Sequence, residues 1–265
     1  MTYALVTGAS SGIGAEFARQ LAKQGKNLIL VARRLDRLTL LAKELRDAYH
    51  VNSIVHAQDL SIPDAAELLY RFVHENHYDI DLVINNAGFG LVGSIQNLSV
   101  TEEQAMLYLN IVTLQVLTHL FINDFVKRKE PSGIINVAST AAFQPVPYMA
   151  TYAASKAFVL HFTEAIAAEY QNTPVRIMAL CPGLTTTEFQ QVARIKEGKS
   201  VKVEMTPQAV VALALRAYQS GKVVVIPGFF NKVLANSIKW VPRQAVRRIG
   251  ALLVQKTLLN SGDHS

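Results

Sequence analysis

The chain has 265 residues, 50% of them hydrophobic and 17% charged, with one Cys and a formal net charge of +6. That composition excludes a disordered chain, the lone Cys excludes an internal disulfide, and the length suits one large α/β domain in a reducing compartment. The basic excess does not point to nucleic acid: residues 229–265 hold Lys232, Lys239, Arg243, Arg247, Arg248 and Lys256 against Asp263 alone, which leaves residues 1–228 almost neutral.

In chain order, an apolar strand over 3–7 runs into Thr7-Gly8-Ala9-Ser10-Ser11-Gly12-Ile13-Gly14, and a helix over 12–24 begins inside that turn. Glycines at such a place let backbone N–H groups approach a pyrophosphate at the positive end of the helix. Gly25 stands where a glycine would end this helix. The second strand, 27–32, ends Ala32-Arg33-Arg34 ahead of a helix over 34–49. No carboxylate stands at the strand end to bind a ribose 2′-hydroxyl. Arg33 is therefore the expected partner of a 2′-phosphate, whose geometry a guanidinium fork matches. Asp36, further on, is expected to cap or line the helix.

A third strand over 53–57 and a helix over 62–77 follow, then a fourth strand over 81–84 with Asn85-Asn86-Ala87-Gly88 at its C-terminal end. That is the edge at which open α/β sheets bind ligands, and its small residues let backbone approach one. A long helix is predicted over 101–129. The fifth strand, 134–138, ends at Ser139, and the helix over 152–171 carries Tyr152-x-x-x-Lys156. Residues i and i+4 share a helix face, so the ammonium lies near the phenol and favours its ionised form. A strand over 175–180, an irregular segment near 184–205, a helix over 206–219 ended by Gly221 and a strand over 222–226 complete the pattern. Continuous apolar strands alternating with helices predict a doubly wound parallel sheet with helices on both faces.

These motifs resemble those of the short-chain dehydrogenase/reductase family. The match runs through Thr7 to Gly14, Asp59-Leu60, Asn85 to Gly88, Asn110, Ser139, Tyr152, Lys156 and Pro182-Gly183 with Thr185 and Thr187 downstream. The resemblance covers residues 1–228 and implies a seven-stranded Rossmann catalytic domain, with 229–265 as a C-terminal extension of it. It implies Tyr152 as general acid/base, Ser139 as the group that orients and polarises a carbonyl, and Lys156 on the nicotinamide ribose, lowering the Tyr pKa. Asn110 would hold a water that relays protons. Gly8, Ser10, Ser11, Gly12, Ile13 and Gly14 would cradle the cofactor phosphates, and Asp59 and Leu60 would flank its adenine. Asn86, Ala87 and Gly88 would let the protein backbone approach it, with Pro182, Gly183, Thr185 and Thr187 closing on its nicotinamide end and phosphates. With Arg33 and no acid at the selecting position, the cofactor implied is NADP(H). The implied reaction reduces a carbonyl or oxidises the matching alcohol, and the implied assembly is a homodimer or homotetramer through the helices at 101–129 and 152–171. The alternative is a catalytically silent NADP(H)-binding sensor or scaffold on the same fold.

No His pair has HExxH spacing and no Ser sits in G-x-S-x-G, so neither a metal site nor a hydrolase is expected. Cys181 reads as a small buried hydrophobe. Phe89, Leu91, Phe143, Pro145, Val146, Tyr148, Met149 and Leu184 are expected to wall a pocket for a lipophilic carbonyl or alcohol. The first ten residues, MTYALVTGAS, lack the stages of a secretory signal. No uninterrupted apolar run reaches the ~18–20 residues of a membrane span, so a cytoplasmic protein is expected. The tail reads as two amphipathic helices broken near Pro242. Lys239, Arg243 and Arg247 recur on one face, and Ile238, Val241, Ala245, Ile249 and Leu252 form another. It would either pack over the substrate loop or a subunit partner, or bind an anionic membrane surface.

Overall fold

Residues 1–188, 193 and 205–254 are described in the computed structural model. Its strands are β1 (Thr2–Thr7), β2 (Asn27–Ala32), β3 (Ser53–Ala57), β4 (Asp79–Asn85), β5 (Ser132–Val137), β6 (Val175–Leu180) and β7 (Val224–Val225). They form one seven-stranded sheet in the order β3-β2-β1-β4-β5-β6-β7, with every neighbouring pair parallel. Alternate residues of each strand serve opposite faces, which is why the strands read as unbroken apolar runs. In β1, Ala4 and Val6 join a core with residues of α1 (Gly12–Lys23), α2 (Leu35–Tyr49) and α7 (Pro207–Gln219). Tyr3 and Leu5 join the opposite core, with α3 (Ala65–Glu75), α5 (Leu114–Phe125) and α6 (Ala150–Glu169). Leu5, Leu30 and Ile84 are fully buried, and each such side chain contributes about 1.5–3 kcal/mol through loss of apolar surface from water.

The chain builds outward from β1 to β3, then resumes at β4 on the other side of β1. Loops leaving β1 and β4 therefore diverge and open a crevice at the C-terminal edge, the place where doubly wound sheets bind ligands. The Thr7 hydroxyl ties the two strand ends together. It donates to the Ile84 carbonyl (3.2 Å) and accepts from the N–H groups of Asn86 and Ala87 (both 3.0 Å).

The helix expected over 101–129 is three pieces: α4 (Val100–Leu107), a wider π-type turn over Tyr108–Thr113, and α5, which ends at Phe125. Val100–Phe125 is long and apolar enough to cross a membrane by length and composition, but Leu117, Phe121, Ile122 and Phe125 pack against the sheet. Behind the sheet edge, a buried polar network crosses four elements. The Asn85 amide donates to Thr118 (3.1 Å) and to Asn136 Oδ1 (2.9 Å), and the Asn136 amide donates to Thr163 (3.1 Å).

Gly25 and Gly221 take positive φ just after α1 and α7, as the sequence indicates. Only part of the irregular segment is described, and in it Thr185 bridges to Met205. The tail forms α8 (Phe229–Ser237), a short 3-10 turn over Ile238–Trp240 and α9 (Arg243–Val254), with the expected break at Pro242. Residues 255–265, with Lys256 and Asp263, lie outside the described residues.

Candidate active site

A cavity of about 430 Å³ runs along the crevice from the end of β2 to the start of α6. At one end it is lined by the turn residues Gly8, Ser10, Ser11, Gly12 and Ile13. Ser11 precedes α1 without capping it through its side chain, so the first N–H groups of the helix remain available to an anion. Gly8 has φ +68°, and a Cβ there would lie 2.7 Å from Asn86 Nδ2. Gly14 does not line the cavity. A Cβ on it would stand 2.2 Å from the Gly8 carbonyl oxygen, so its part is to let α1 close onto the turn.

Arg33 lines the cavity rim. Its side chain is 69% exposed and lies 4.0 Å from Asp59. Arg34, the second of the pair and not the one expected on the phosphate, reaches back across the turn. It donates to the hydroxyls of Ser10 (3.0 Å) and Ser11 (2.9 Å) and to Glu188 (2.9 Å), and Glu188 also pairs with Arg37. The two guanidinium groups hold the Glu188 carboxyl below the usual carboxylate range. Asp36 lies exposed in the first turn of α2. Asp59 and Leu60 line the cavity beneath Arg33. Burial acts to raise the Asp59 carboxyl, but hydrogen bonds from the Ser61 hydroxyl and N–H, with Arg33 nearby, hold it below its ordinary value.

Asn86, Ala87 and Gly88 line the middle of the cavity, and Pro182, Gly183, Thr185 and Thr187 line the opposing loop. Thr187 packs onto Gly12, where an added Cβ would lie 3.0 Å from its methyl group. The donor set fits a phosphorylated dinucleotide. A helix N-terminus, two serine hydroxyls and two guanidinium groups stand at one end, and an ammonium stands at the other.

That other end holds Ser139, Tyr152 and Lys156. Ser139 follows β5 in extended conformation, and its hydroxyl accepts from the Ala141 N–H (3.1 Å) and is hydrogen-bonded to the Tyr152 phenol. The Lys156 ammonium donates to the Val137 carbonyl (2.9 Å) and lies 5.9 Å from the Tyr152 ring centroid. Both residues are buried. The expectation that the ammonium lowers the phenol pKa is not met in this state. Burial pushes the Tyr152 phenol up to about 12, with only the Ser139 hydrogen bond acting the other way. Burial likewise pushes Lys156 down to about 8. Desolvation dominates both groups, and the described hydrogen bond of the ammonium goes to the Val137 carbonyl.

Asn110 sits in the π-type turn, fully buried and behind the cavity wall. Its amide donates to the Phe89 carbonyl (2.9 Å) and to Ser155 (3.1 Å), and its oxygen accepts from the Phe89 N–H (3.2 Å). The side chain thus clamps the loop after β4. Of the expected apolar wall, Phe89, Met149 and Leu184 line the cavity, while Leu91 and Val146 support Tyr152 and Met149 from behind. Phe143 packs instead against the cluster of Leu114, Val159 and Cys181, and Pro145 lies near Gly250 of α9. Tyr148 is a positive-φ residue in the same loop and does not line the cavity. Cys181 is fully buried, and that burial pushes its thiol up to about 12, as a packing residue would be.

The family model for short chain dehydrogenase matches residues 2–198. A 7beta-hydroxysteroid dehydrogenase of Mediterraneibacter gnavus is 30% identical over 241 residues, covering 89% of this chain and 90% of that protein. Among solved structures, a short-chain dehydrogenase from Sphingobium yanoikuyae in complex with NADPH superposes with a TM-score of 0.82 at 28% identity, over 100% of both chains. The bulky-bulky ketone specific alcohol dehydrogenase from Comamonas testosteroni superposes with a TM-score of 0.78 at 27% identity, over 99% of this chain and 97% of that one.

Proposed function

The chain belongs to the short-chain dehydrogenase family, and from that premise we propose that it uses NADP(H) to reduce a bulky lipophilic ketone, or to oxidise the matching alcohol, with Tyr152 as proton donor. One observation carries this: Ser139, Tyr152 and Lys156 open onto the same cavity as the glycine turn and the Arg33-Arg34 pair. NADPH, when bound, supplies the hydride that reaches the carbonyl carbon. The chain's own residues do the rest.

Ser10, Ser11 and the N-terminus of α1 would hold the pyrophosphate, with Arg33 and Arg34 on the 2′-phosphate. The NADPH complex of the Sphingobium relative supports NADP(H) as the cofactor. Ser139 would hold the carbonyl oxygen by a hydrogen bond that strengthens as negative charge develops there. Tyr152, whose phenol keeps its proton at neutral pH, would pass that proton to the oxygen. Lys156 would hold the ribose hydroxyls and stabilise the phenolate left behind. Phe89, Met149 and Leu184 give the substrate end an apolar wall. Among the described residues, no Lys or Arg other than Lys156 lines that end to clamp a carboxylate or phosphate. The hydroxysteroid and bulky-ketone relatives support a large apolar substrate.

NADPH consumption with a panel of ketones tests the substrate class. Turnover with steroid and diaryl ketones is expected to exceed that with small hydrophilic aldehydes, and the reverse order would overturn it.

A further inference from the structure

The tail buries a different set of residues from the one its apolar pattern indicates. In α8, Ala235 is buried, and Asn231 bonds inward to the Pro227 carbonyl (2.9 Å). Phe229, Phe230, Val233 and Leu234 share the opposite side of the helix and are exposed, the two Phe by 76% and 71%. In α9, Val246 and Val254 are buried while Ile249 and Leu252 are exposed. Between the helices Trp240 is 89% exposed. No Asp or Glu occurs between residues 229 and 254, whereas Lys232, Lys239, Arg243, Arg247 and Arg248 do. The described basic residues among them, Lys232, Arg243, Arg247 and Arg248, are exposed.

We propose that the α8–α9 surface docks on an anionic lipid bilayer. Phe229, Phe230, Trp240 and Leu252 enter the headgroup–acyl boundary, and Lys232, Arg243, Arg247 and Arg248 meet lipid phosphates. Helices with apolar and basic residues exposed together lie in that boundary, and Trp and Phe are at home at headgroup depth. Charge selects this occupant over a second copy of the chain. An isologous contact would set cations against cations with no carboxylate in the patch to pair them.

The surface also adjoins the cavity. Asn231 packs against Gly183, which lines it, and a Cβ on Gly250 would lie 3.4 Å from Pro147, two residues before the cavity-lining Met149. On the reading that the site takes a lipophilic ketone, a bilayer at this surface would place the substrate's own solvent beside the two loops that line its site. The docking itself is tested without substrate, so its failure would be separate from a failure of that reading.

Trp240 is the chain's single Trp and reports directly. With the full chain, vesicles of phosphatidylcholine mixed with phosphatidylglycerol are expected to shift its emission to the blue and to carry the protein up in flotation. Phosphatidylcholine alone is expected to do neither. Raising salt to 1 M, where the screening length falls to about 3 Å, should release the protein. Arg247→Gln with Arg248→Gln should weaken binding roughly fivefold per residue, or about 25-fold together. Phe229→Ser with Phe230→Ser should abolish the blue shift. No shift with either vesicle would overturn the proposal. So would a size-exclusion profile in which the Phe pair of substitutions splits an oligomer, because the face would then be a subunit contact.

Discussion

Burial sets the two titratable groups of the site against their usual behaviour. Tyr152 holds its proton up to about 12 and Lys156 its charge only up to about 8. Lys156 is therefore cationic below about pH 8 and loses its charge as pH rises through that value. In the proposed reaction, the phenolate left once Tyr152 gave up its proton would then have no cation beside it. Reductive kcat is expected to be level near pH 6–7 and to fall by up to about tenfold per pH unit above 8. A profile flat to pH 10, with the fold intact by circular dichroism, would contradict this role.

At the phosphate end, Arg33→Ala and Arg34→Ala should each weaken NADPH more than NADH, by about tenfold or more for a lost charge-assisted contact. Equal losses for both cofactors would remove the 2′-phosphate assignment. The Arg33-Arg34 pair was legible in the sequence, but the division of labour between them was not. Arg34 is fixed by Ser10, Ser11 and Glu188, and nothing local in the sequence says that residue 188 returns to residue 34. The signal that was there is Arg37, which stands three residues along the helix, next to Arg34 in space.

At the scale of the element, the strands were legible because each is buried on both faces and so carries an unbroken apolar run. The division of the helix over 101–129 was not. Its apolar spacing passes through Tyr108–Thr113 without a break, and the π-type turn is held by partners distant in sequence: Phe89 and Ser155 on Asn110, and the Leu60 carbonyl on Thr113. Local widening of a helix commonly marks a functional position, and here it sets Asn110 against the loop that carries Gly88. The same distance hides the network of Asn85, Thr118, Asn136 and Thr163, four polar residues inside runs that read as core. Asn136→Ala would leave the Asn85 amide and the Thr163 hydroxyl each short of a partner, at about 1–3 kcal/mol per group. Urea unfolding should show that loss. A change below about 0.5 kcal/mol, typical of an exposed site, would mean that the network contributes little.

For the whole molecule, the doubly wound parallel sheet followed from the alternation of strands and helices, while the crevice between β1 and β4 rests on the strand order, and the glycine turn, Asn86–Gly88, Ser139, Tyr152 and Lys156 line the cavity in it. The apolar wall was only partly legible. Eight apolar residues on loops could face the substrate, but loop residues obey no period, and the structure packs a half-buried Phe143 against a core cluster and sets Pro145 near α9. The tail shows the same limit from the other side. Its apolar stripe was plain in the sequence, yet which face is covered depends on Asn231 and Gly250 seating the helices on the body. The net charge of +6 thus belongs mainly to a surface beside the site and not to the chemistry within it.

The central claim is that Tyr152 delivers the proton in an NADPH-dependent carbonyl reduction, and Tyr152→Phe tests it most directly. The substitution keeps the ring in its buried place and removes only the hydroxyl. Consumption of NADPH with the best ketone of the panel should fall by at least 10²–10⁴-fold, the usual range for a lost general acid, while NADPH still binds within a few-fold of the unaltered chain. Turnover that survives the substitution, with binding unchanged, would contradict the account.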